Sequence, residues 1–276
     1  MEQTLQERIR EYESCQCIRL TRKLPVVIRI EGRNFSKLTR DLSKPYSKEL
    51  ISLFSGTLVR LMKQIDGAVF GYYFSDSITI ISLNDQKNTT EPWLGNDQQR
   101  IASLTSALAT YEFNDILWEL DDPPDIQGQP LFLSSAFIVP NYMEAINCLI
   151  ERQQECIKNA ITAASYVELS KRFNRKEVQR FLEGRHLDQR LALLREECGI
   201  NYDAHYPLAF RRGVACYRVP QIIDGQVERH KWAIDLDLLL FSESRDFLFQ
   251  IISSGHDIFR PERDTKQTDE RPNLHT

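Results

Sequence analysis

The spacing of apolar residues alternates along the chain between a helical repeat and continuous β-branched runs. Apolar side chains at helical intervals predict amphipathic helices over 5–12, 47–65, 97–117 and 143–164. Runs rich in Val, Ile and aromatic residues predict strands over 25–30, 69–74, 78–83 and 131–139, and a final hairpin over 213–219 and 227–235. The basic stretch 168–197 has the pattern of short helices joined around Gly184.

The order of these elements predicts the fold class. A strand, a helix, a β-hairpin, a helix, a strand and a long helix follow one another, so we predict an α+β protein in which an antiparallel sheet carries helices packed on one face. A C-terminal extension adds helices and a hairpin. We expect residues 1–140 to form the core and 141–259 to complete the same globular unit. Residues 260–276 contain one aliphatic residue, Leu274, and we expect a disordered tail.

Composition narrows the class of protein. The 276 residues include 42% hydrophobic and 27% charged residues with 11 Gly and 11 Pro, which excludes collagen-like, coiled-coil and wholly disordered chains. No stretch approaches the roughly 18 uncharged apolar residues of a membrane span, so we expect a soluble cytoplasmic protein without a membrane partner. The six cysteines form no C-x-x-C pair, and we interpret them as reduced structural thiols.

The net charge of −4 conceals a strong asymmetry along the chain. Residues 1–48 and 171–218 each carry a net charge of +5, whereas residues 49–170 carry −10. Two basic blocks that converge in space would attract phosphate groups. An unevenly charged but solvated surface is the other interpretation, and charge alone leaves both open.

Two carboxylates stand at predicted strand ends. Glu31 follows the strand 25–30, and Asp76 lies at the tip of the hairpin formed by 69–74 and 78–83. If the strands are neighbours, these side chains and a carbonyl from the adjoining Gly turn would suit Mg²⁺, which takes its remaining ligands from water and substrate phosphates. Such a site could polarise a phosphoryl group. Two solvated acids in turns are the alternative.

Five ordered blocks of the sequence resemble motifs of the tRNA(His) guanylyltransferase family. The block at 25–46 is PVVIRIEGRNFSKLTRDLSKPY, similar to a strand that runs into an [acid]-G-R-x-F turn. The block at 71–80, GYYFSDSITI, resembles a G-Y-x-Q-S-D-E hairpin, and that at 96–114 resembles a helix ending in A-T-x-x-F-N. RQQECIKNA at 152–160 is similar to the R-Q-Q-D-x-x-R-N of bacterial-type members. GINYD, RRGVACY and HKWAID in the C-terminal half form the fifth block, and the resemblance extends over about residues 5–250.

The resemblance implies a fold and an activity. Members have a palm-like sheet, similar to that of ordinary polymerases, and add nucleotides in the 3′ to 5′ direction at tRNA 5′ ends. ATP or GTP first activates the 5′-monophosphate, and the 3′-hydroxyl of an incoming nucleotide then attacks. The implied partners are tRNA, GTP and ATP, the implied cofactor is a pair of Mg²⁺ ions, and the implied assembly is a homotetramer.

The resemblance also assigns roles to residues. Glu31 and Asp76 would be catalytic and would hold the metal ions together with the Gly32 carbonyl. The residues expected to contact nucleotide are Arg33, Asn34, Phe35, Lys44, Ser75, Arg100, Ser103, Glu155 and Asn159. Arg152 could act there or simply form ion pairs on a helix surface. The basic side chains that could bind tRNA phosphates, or else form a solvated face, are Lys171, Arg172, Arg211 and Arg212.

Several positions depart from the family pattern. Glu31 replaces a metal-binding Asp, Ser77 replaces an acid, and the Asp and Arg of an F-D-x-R strand are here Leu133 and Ser135. The absence of the eukaryotic H-I-N-N block favours template-dependent repair of tRNA ends. Two alternatives stay open: a palm-fold nucleotidyltransferase redirected to another substrate, and a catalytically weak RNA- or nucleotide-binding homologue.

Overall fold

The sheet contains every strand that the sequence predicts, in the order β4-β1-β3-β2-β5-β6 with antiparallel neighbours throughout. A computed structural model describes residues 3–85, 89–223 and 226–254. The turn at Asp224-Gly225 and the tail 260–276 lie outside the described residues. The strands are β1 (Val26–Gly32), β2 (Ala68–Phe74), β3 (Ser77–Ser82), β4 (Phe132–Ile138), β5 (Val214–Ile223) and β6 (Gln226–Asp235).

The helices form two sets along the chain, one that ends at Ser170 and one that follows it. The helices of the first set, with one short turn among them, are α1 (Leu5–Cys15), α2 (Phe35–Leu38), α3 (Lys48–Gln64), α4 (Gln98–Glu119) and α5 (Tyr142–Ser170). Those of the second part are α6 (Arg175–Leu182), α7 (Leu187–Cys198), α8 (Tyr202–His205), α9 (Leu208–Arg212) and α10 (Arg245–Ser254). Polar side chains begin the long helices: Ser47, Asp97 and Asn141 each accept a hydrogen bond from a first-turn backbone N–H.

One face of the sheet packs against α3 and α4. Strand residues such as Ile28 and Ile30 contact a core that includes Leu58 and Leu61 of α3. Four buried rings stabilise this core near the end of β1, with centroids 5.0–5.9 Å apart: Phe35, Phe54, Phe113 and Phe132. Because Phe35 directly follows the Glu31–Asn34 turn, this packing fixes the backbone of the turn.

The opposite face is also covered, which corrects the expectation of helices on one face. Val27, Val69 and Ile81 point away from α3 and pack with Ile146 of α5 and Ile251 of α10. The central strands are apolar at successive positions, and a strand with both faces apolar must be buried on both sides. The α+β class and the antiparallel sheet are confirmed.

The long helix α5 joins the sheet to the helical extension. Its first half packs on the second face of the sheet, whereas Ile161, Ala164 and Leu169 belong to a separate core with residues of α6 and α7. This second set of contacts explains why the helix continues to Ser170, beyond the predicted end at 164. A boundary at residue 140 stays a prediction. Among the described residues, no helix combines the length and apolar character that a membrane crossing needs.

The covered second face makes a prediction about stability. Ile146→Ala should lower the free energy of unfolding by about 2–5 kcal/mol, because it opens a cavity between α5 and the sheet. Met143→Ala, on the same helix but 42% exposed, should change it by less than about 0.5 kcal/mol. Urea unfolding of both variants measures the difference, and equal effects would contradict the packing of α5 on the sheet.

Candidate active site

A backbone hydrogen bond holds the two predicted carboxylates at the same end of the sheet. The Gly32 N–H at the end of β1 donates to the carbonyl of Asp76 with an N–O distance of 2.8 Å. In the adjoining register, Glu31 lies directly opposite Ser77. Glu31 at the end of β1 and Asp76 in the turn before β3 therefore lie at the same end of neighbouring strands, which is the condition under which the sequence allowed them to meet.

The turn after β1 requires glycine at position 32. A Cβ on Gly32 would lie 2.2 Å from the Phe35 ring, which is itself packed among three other rings. The turn continues through Asn34 in a left-handed conformation, with φ of 58°, while the Arg33 N–H donates to the Leu131 carbonyl. The Arg33 and Asn34 side chains are exposed beside the carboxylates, whereas Phe35 is buried.

Burial of Asp76 is the main influence on the electrostatics of the site. Burial raises the pKa of Asp76, and the neighbouring charge of Glu31 raises it further, while hydrogen bonds from its own backbone and from Ser75 act in the opposite direction. Arg152 on α5 forms ion pairs with Glu151 and Glu155. Both carboxylates of the site thus lie near a cluster whose charges partly compensate one another.

Arg152 forms the ion pairs that were one of its two possible roles, and its role at the nucleotide site stays a prediction. Its guanidinium pairs with acids of its own helix and also lies 5.7 Å from the centre of the Phe74 ring, on the strand that leads to Asp76. Hydrogen bonding to Glu151 is the largest influence that raises the pKa of Arg152, and the charges of Glu155 and Glu31 add to it. Arg152 therefore links α5 electrostatically to the end of the sheet.

A cavity of about 440 Å³ opens next to Asp76. Its wall includes five residues expected at a nucleotide or metal site: Phe35, Lys44, Ser75, Asp76 and Asn159. The Lys44 ammonium donates to the Thr39 carbonyl at 2.8 Å, which holds the side chain in the loop before α3. A cation, a hydroxyl, an amide and a carboxylate thus converge on one concave surface, an arrangement suited to a phosphorylated ligand.

The apolar wall of the cavity was missed by the sequence analysis. Tyr46 and Phe210 stack with ring centroids 5.1 Å apart, and Ala160 and Ala163 of α5 line the same space. A ring system could pack there. Small and aromatic residues from three distant segments carry no local signal of a site, so only the tertiary fold reveals this part.

Arg100 and Ser103 are placed elsewhere. Both lie near the start of α4, where Arg100 faces Asp97 at 3.7 Å and the Ser103 hydroxyl donates to the Arg100 carbonyl. This helix packs on the α3 side of the sheet, and its Gln98 binds the Ala136 carbonyl, toward the end of β4 remote from Gly32. The fold does not bring these two residues to the cavity. Their nucleotide role stays a prediction.

The four residues predicted to contact tRNA make contacts within the chain. Lys171 pairs with Glu168, and Arg172 donates to the Glu197 and Cys198 carbonyls at the end of α7. Arg211 is buried and pairs with Asp203, and Arg212 donates to the Leu238 carbonyl. Each of these side chains thus has a partner within the chain, and the expected RNA role stays a prediction.

The donor set fits a divalent cation shared with a ligand. Glu31, Asp76 and the Gly32 carbonyl supply oxygen atoms, as Mg²⁺ prefers. Nowhere in the described ranges do three or more His, Cys, Asp or Glu side chains gather as a closed metal site. A two-carboxylate site leaves coordination positions for water and phosphate oxygens, which matches the phosphate-suited cavity beside it.

The departures from the family pattern also lie at this end of the sheet. Leu133 stands opposite Glu31 on the edge strand β4 and is 60% exposed, while Ser135 stands opposite Arg29. A charged pair at these positions would flank Glu31 and Arg29. In this chain, Arg29 instead pairs with Glu151 of α5 at 3.3 Å.

Known proteins share the sequence pattern and the architecture of this chain. The family model for tRNA(His) guanylyltransferase matches residues 6–140, which contain both carboxylates. Over this segment, just under half of its length, the chain is similar to the tRNA(His) guanylyltransferase family. The recognition of this family from its motifs is confirmed, and with it the assignment of the chain as a nucleotidyltransferase of the tRNA guanylyltransferase type.

Solved structures extend the similarity beyond the matched segment. A bacterial tRNA(His) guanylyltransferase (Thg1)-like protein in complex with ATP is 28% identical, with a TM-score of 0.77 over 90% of this chain and 99% of the other. A bacterial Thg1-like protein in complex with GTP is 26% identical, with a TM-score of 0.71 over 91% of this chain and 99% of the other. The palm-like fold is confirmed.

A yeast enzyme and the curated sequences complete the comparison. The tRNA(His) guanylyltransferase of Saccharomyces cerevisiae is 19% identical, with a TM-score of 0.67 over 76% of this chain and 91% of the other, and it supports the fold alone. No curated protein sequence matches the chain significantly.

The raised pKa of Asp76 predicts a stability effect with a definite sign. A carboxyl whose pKa is higher in the folded than in the unfolded protein costs stability above the folded pKa, and this cost disappears as pH falls below the unfolded value. Asp76→Asn should therefore raise the melting temperature of the metal-free protein at neutral pH, and the gain should vanish in acid. Melting curves between pH 3 and 8 test this, with the exposed Asp121→Asn as a control that should show no gain.

Proposed function

We propose that the chain adds nucleotides in the 3′ to 5′ direction to the 5′ ends of tRNA. The observation that carries this proposal is the Gly32–Asp76 hydrogen bond, which places two carboxylates beside a cavity lined by Lys44 and Asn159. The chain would take part in two displacements. An oxygen of the tRNA 5′-phosphate attacks the α-phosphorus of ATP or GTP and releases pyrophosphate; the 3′-hydroxyl of the incoming nucleotide then attacks the activated 5′-phosphate and releases the mononucleotide.

Each wall of the cavity would have its own task. Lys44 and Ser75 would bind phosphate oxygens, because an ammonium and a hydroxyl offset and orient their charge. The Tyr46–Phe210 wall would pack against a base, and Asn159 would hydrogen-bond to the incoming nucleotide. Glu31, the Gly32 carbonyl and Asp76 would hold two Mg²⁺ ions, which when bound stabilise charge on the attacking and leaving oxygens.

A second candidate function is nucleotide or RNA binding with weak catalysis. It is favoured by Leu133, an exposed apolar side chain directly opposite Glu31 where the family pattern has an acid. The cavity residues would then bind nucleotide while the altered strand end would slow transfer. Incubation with 5′-phosphorylated truncated tRNA, labelled nucleotide and Mg²⁺ separates the two candidates, because only the first gives extended tRNA.

Asp76→Asn should reduce nucleotide addition by at least about a hundredfold, because it removes a charge from the metal site while retaining nearly the same volume. The same end-labelling assay measures the loss, and melting curves check that the variant folds. Glu31→Gln should have the same effect. Turnover close to that of the wild type in both amide variants would contradict the two-carboxylate mechanism.

Lys44→Ala should lower kcat/KM for the nucleotide. The fall should correspond to a loss of about 1.5–3 kcal/mol of transition-state stabilisation, the range for a hydrogen bond that involves a charged group. Lys37→Ala is a suitable control because Lys37 is exposed on the nearby helix α2 but does not line the cavity. The affinity for tRNA should be unchanged in both variants. A loss confined to tRNA binding in Lys44→Ala would assign this residue to the other substrate.

The surface of α6 offers positive charge to an RNA backbone. Arg175, Lys176 and Arg180 are exposed on this helix, and Lys176 and Arg180, four positions apart, lie on the side away from the buried Val178. Because α6 packs against α5, and α5 lines the cavity with Asn159, these cations lie beyond the wall of the proposed nucleotide site. We propose that they supplement or replace the internally bound Arg211 and Arg212 as contacts for tRNA phosphates.

The salt dependence of tRNA affinity tests this surface. Changing Arg175, Lys176 and Arg180 together to Gln should reduce the slope of log affinity against log salt concentration by up to about 3, since each phosphate contact contributes about 0.9. Changing the exposed Arg19, Lys63 and Lys231 to Gln alters the net charge equally and should leave the slope nearly unchanged. Equal effects of the two sets would indicate a response to overall charge instead of a binding surface.

A further inference from the structure

A buried hydroxyl lies unpaired next to the two carboxylates. Ser77 begins β3 directly after Asp76, and the residue is only 8% exposed. Its Oγ has no hydrogen-bond partner among the residues that the structure describes. Leaving a buried hydroxyl unpaired costs free energy, so most such groups in proteins are paired. The Ser77 hydroxyl is therefore available to donate to an oxygen that comes within reach.

The register of the sheet identifies that oxygen. Ser77 is directly opposite Glu31 on β1, and opposite residues of antiparallel strands project from the same face with Cβ atoms about 4.5–5.5 Å apart. On its other side, Ser77 is opposite Phe74, whose ring lies under the Arg152 guanidinium. The neighbouring acceptor across the strand is thus the carboxylate of Glu31.

Glu31 needs a partner more than a shorter acid would. Glu31 is an exposed residue, and its side chain has one more rotatable bond than that of Asp, so fixing its carboxylate at a metal ion costs more side-chain entropy. Of the two residues opposite Glu31 on the flanking strands, Leu133 carries no donor, whereas Ser77 carries one. Carboxylates that bind metals are commonly held by such outer hydrogen bonds.

We propose that Ser77 is a positioning residue whose hydroxyl donates a hydrogen bond to Glu31 when a divalent cation shared with Asp76 is bound, and so holds that carboxylate toward the cation. This inference rests on the proposed metal site. It explains how a chain with Glu in place of Asp at position 31 keeps the ligand in place, because the hydroxyl restrains the added methylene from the adjacent strand.

Mn²⁺ titration of the full chain, followed by the EPR signal of the free ion, tests the inference without reference to activity. Ser77→Ala should weaken Mn²⁺ binding about tenfold, the lower end of the range for loss of an outer partner. It should leave the melting temperature of the metal-free protein unchanged or higher, because an unpaired buried hydroxyl is removed. The weakening should be larger than any change caused by Ser77→Thr, which keeps the hydroxyl.

A matched control lies on the same strand. Ser82 is also buried in β3, but its hydroxyl donates to the Asp66 carbonyl at 3.0 Å, at the opposite end of the strand. Ser82→Ala should therefore lower the melting temperature and leave the Mn²⁺ dissociation constant unchanged. Ser77→Ala is thus expected to lower only metal affinity, and Ser82→Ala only the stability of the metal-free protein.

Each other outcome overturns the inference in a recognisable way. Unchanged Mn²⁺ affinity in Ser77→Ala, with normal binding by the wild type, would show that Ser77 does not position Glu31. A fall in metal-free melting temperature like that of Ser82→Ala would show that the hydroxyl stabilises the fold itself. Absence of Mn²⁺ binding in the wild type would instead refute the proposed metal site on which the inference rests.

Discussion

The pairing of β1 with β3 is the constraint on which the candidate site depends. Their antiparallel register ends with the hydrogen bond between Gly32 and Asp76, and it sets Glu31 opposite Ser77. Slipping this pairing by one residue would move Glu31 to the other face of the sheet. The register is protected because both faces of the central strands are buried, so a slip would displace apolar side chains from two cores at once.

Packing around Phe35 extends this constraint into the cavity. The ring fills the space above Gly32 and contacts residues of α3, α4 and β4, so three elements hold the turn that presents the carboxylates. The same residue contributes to the cavity wall. A buried aromatic cluster thus supports the position of exposed polar groups, although none of its other rings is expected to meet a ligand.

The sequence predicted the elements and the acidic pair because both have local signals. Apolar periodicity locates the strands and helices. An acid directly after a strand is a candidate metal ligand at the end of the sheet. The sequence did not predict the features that depend on contacts between distant segments. The apolar second face was visible in the continuous runs at 69–74 and 78–83, yet its covering by α10 follows only from tertiary contacts. The contact of Arg172 with the Glu197 carbonyl likewise joins residues 25 positions apart. Arg211 binds the nearby Tyr206 carbonyl, and a basic residue in a sequence does not reveal whether its charge is already engaged.

The length of α5 has a mechanical consequence. Its 29 residues extend about 44 Å as one rod, with Arg152 near the carboxylates and Lys171 just past its far end. Half of the rod is clamped to the sheet and half to the helical extension, so it has no free segment in which bending could be absorbed. A displacement of the helical extension would therefore tilt α5 relative to the sheet. The bending stiffness of this one helix would determine how closely its two ends move together.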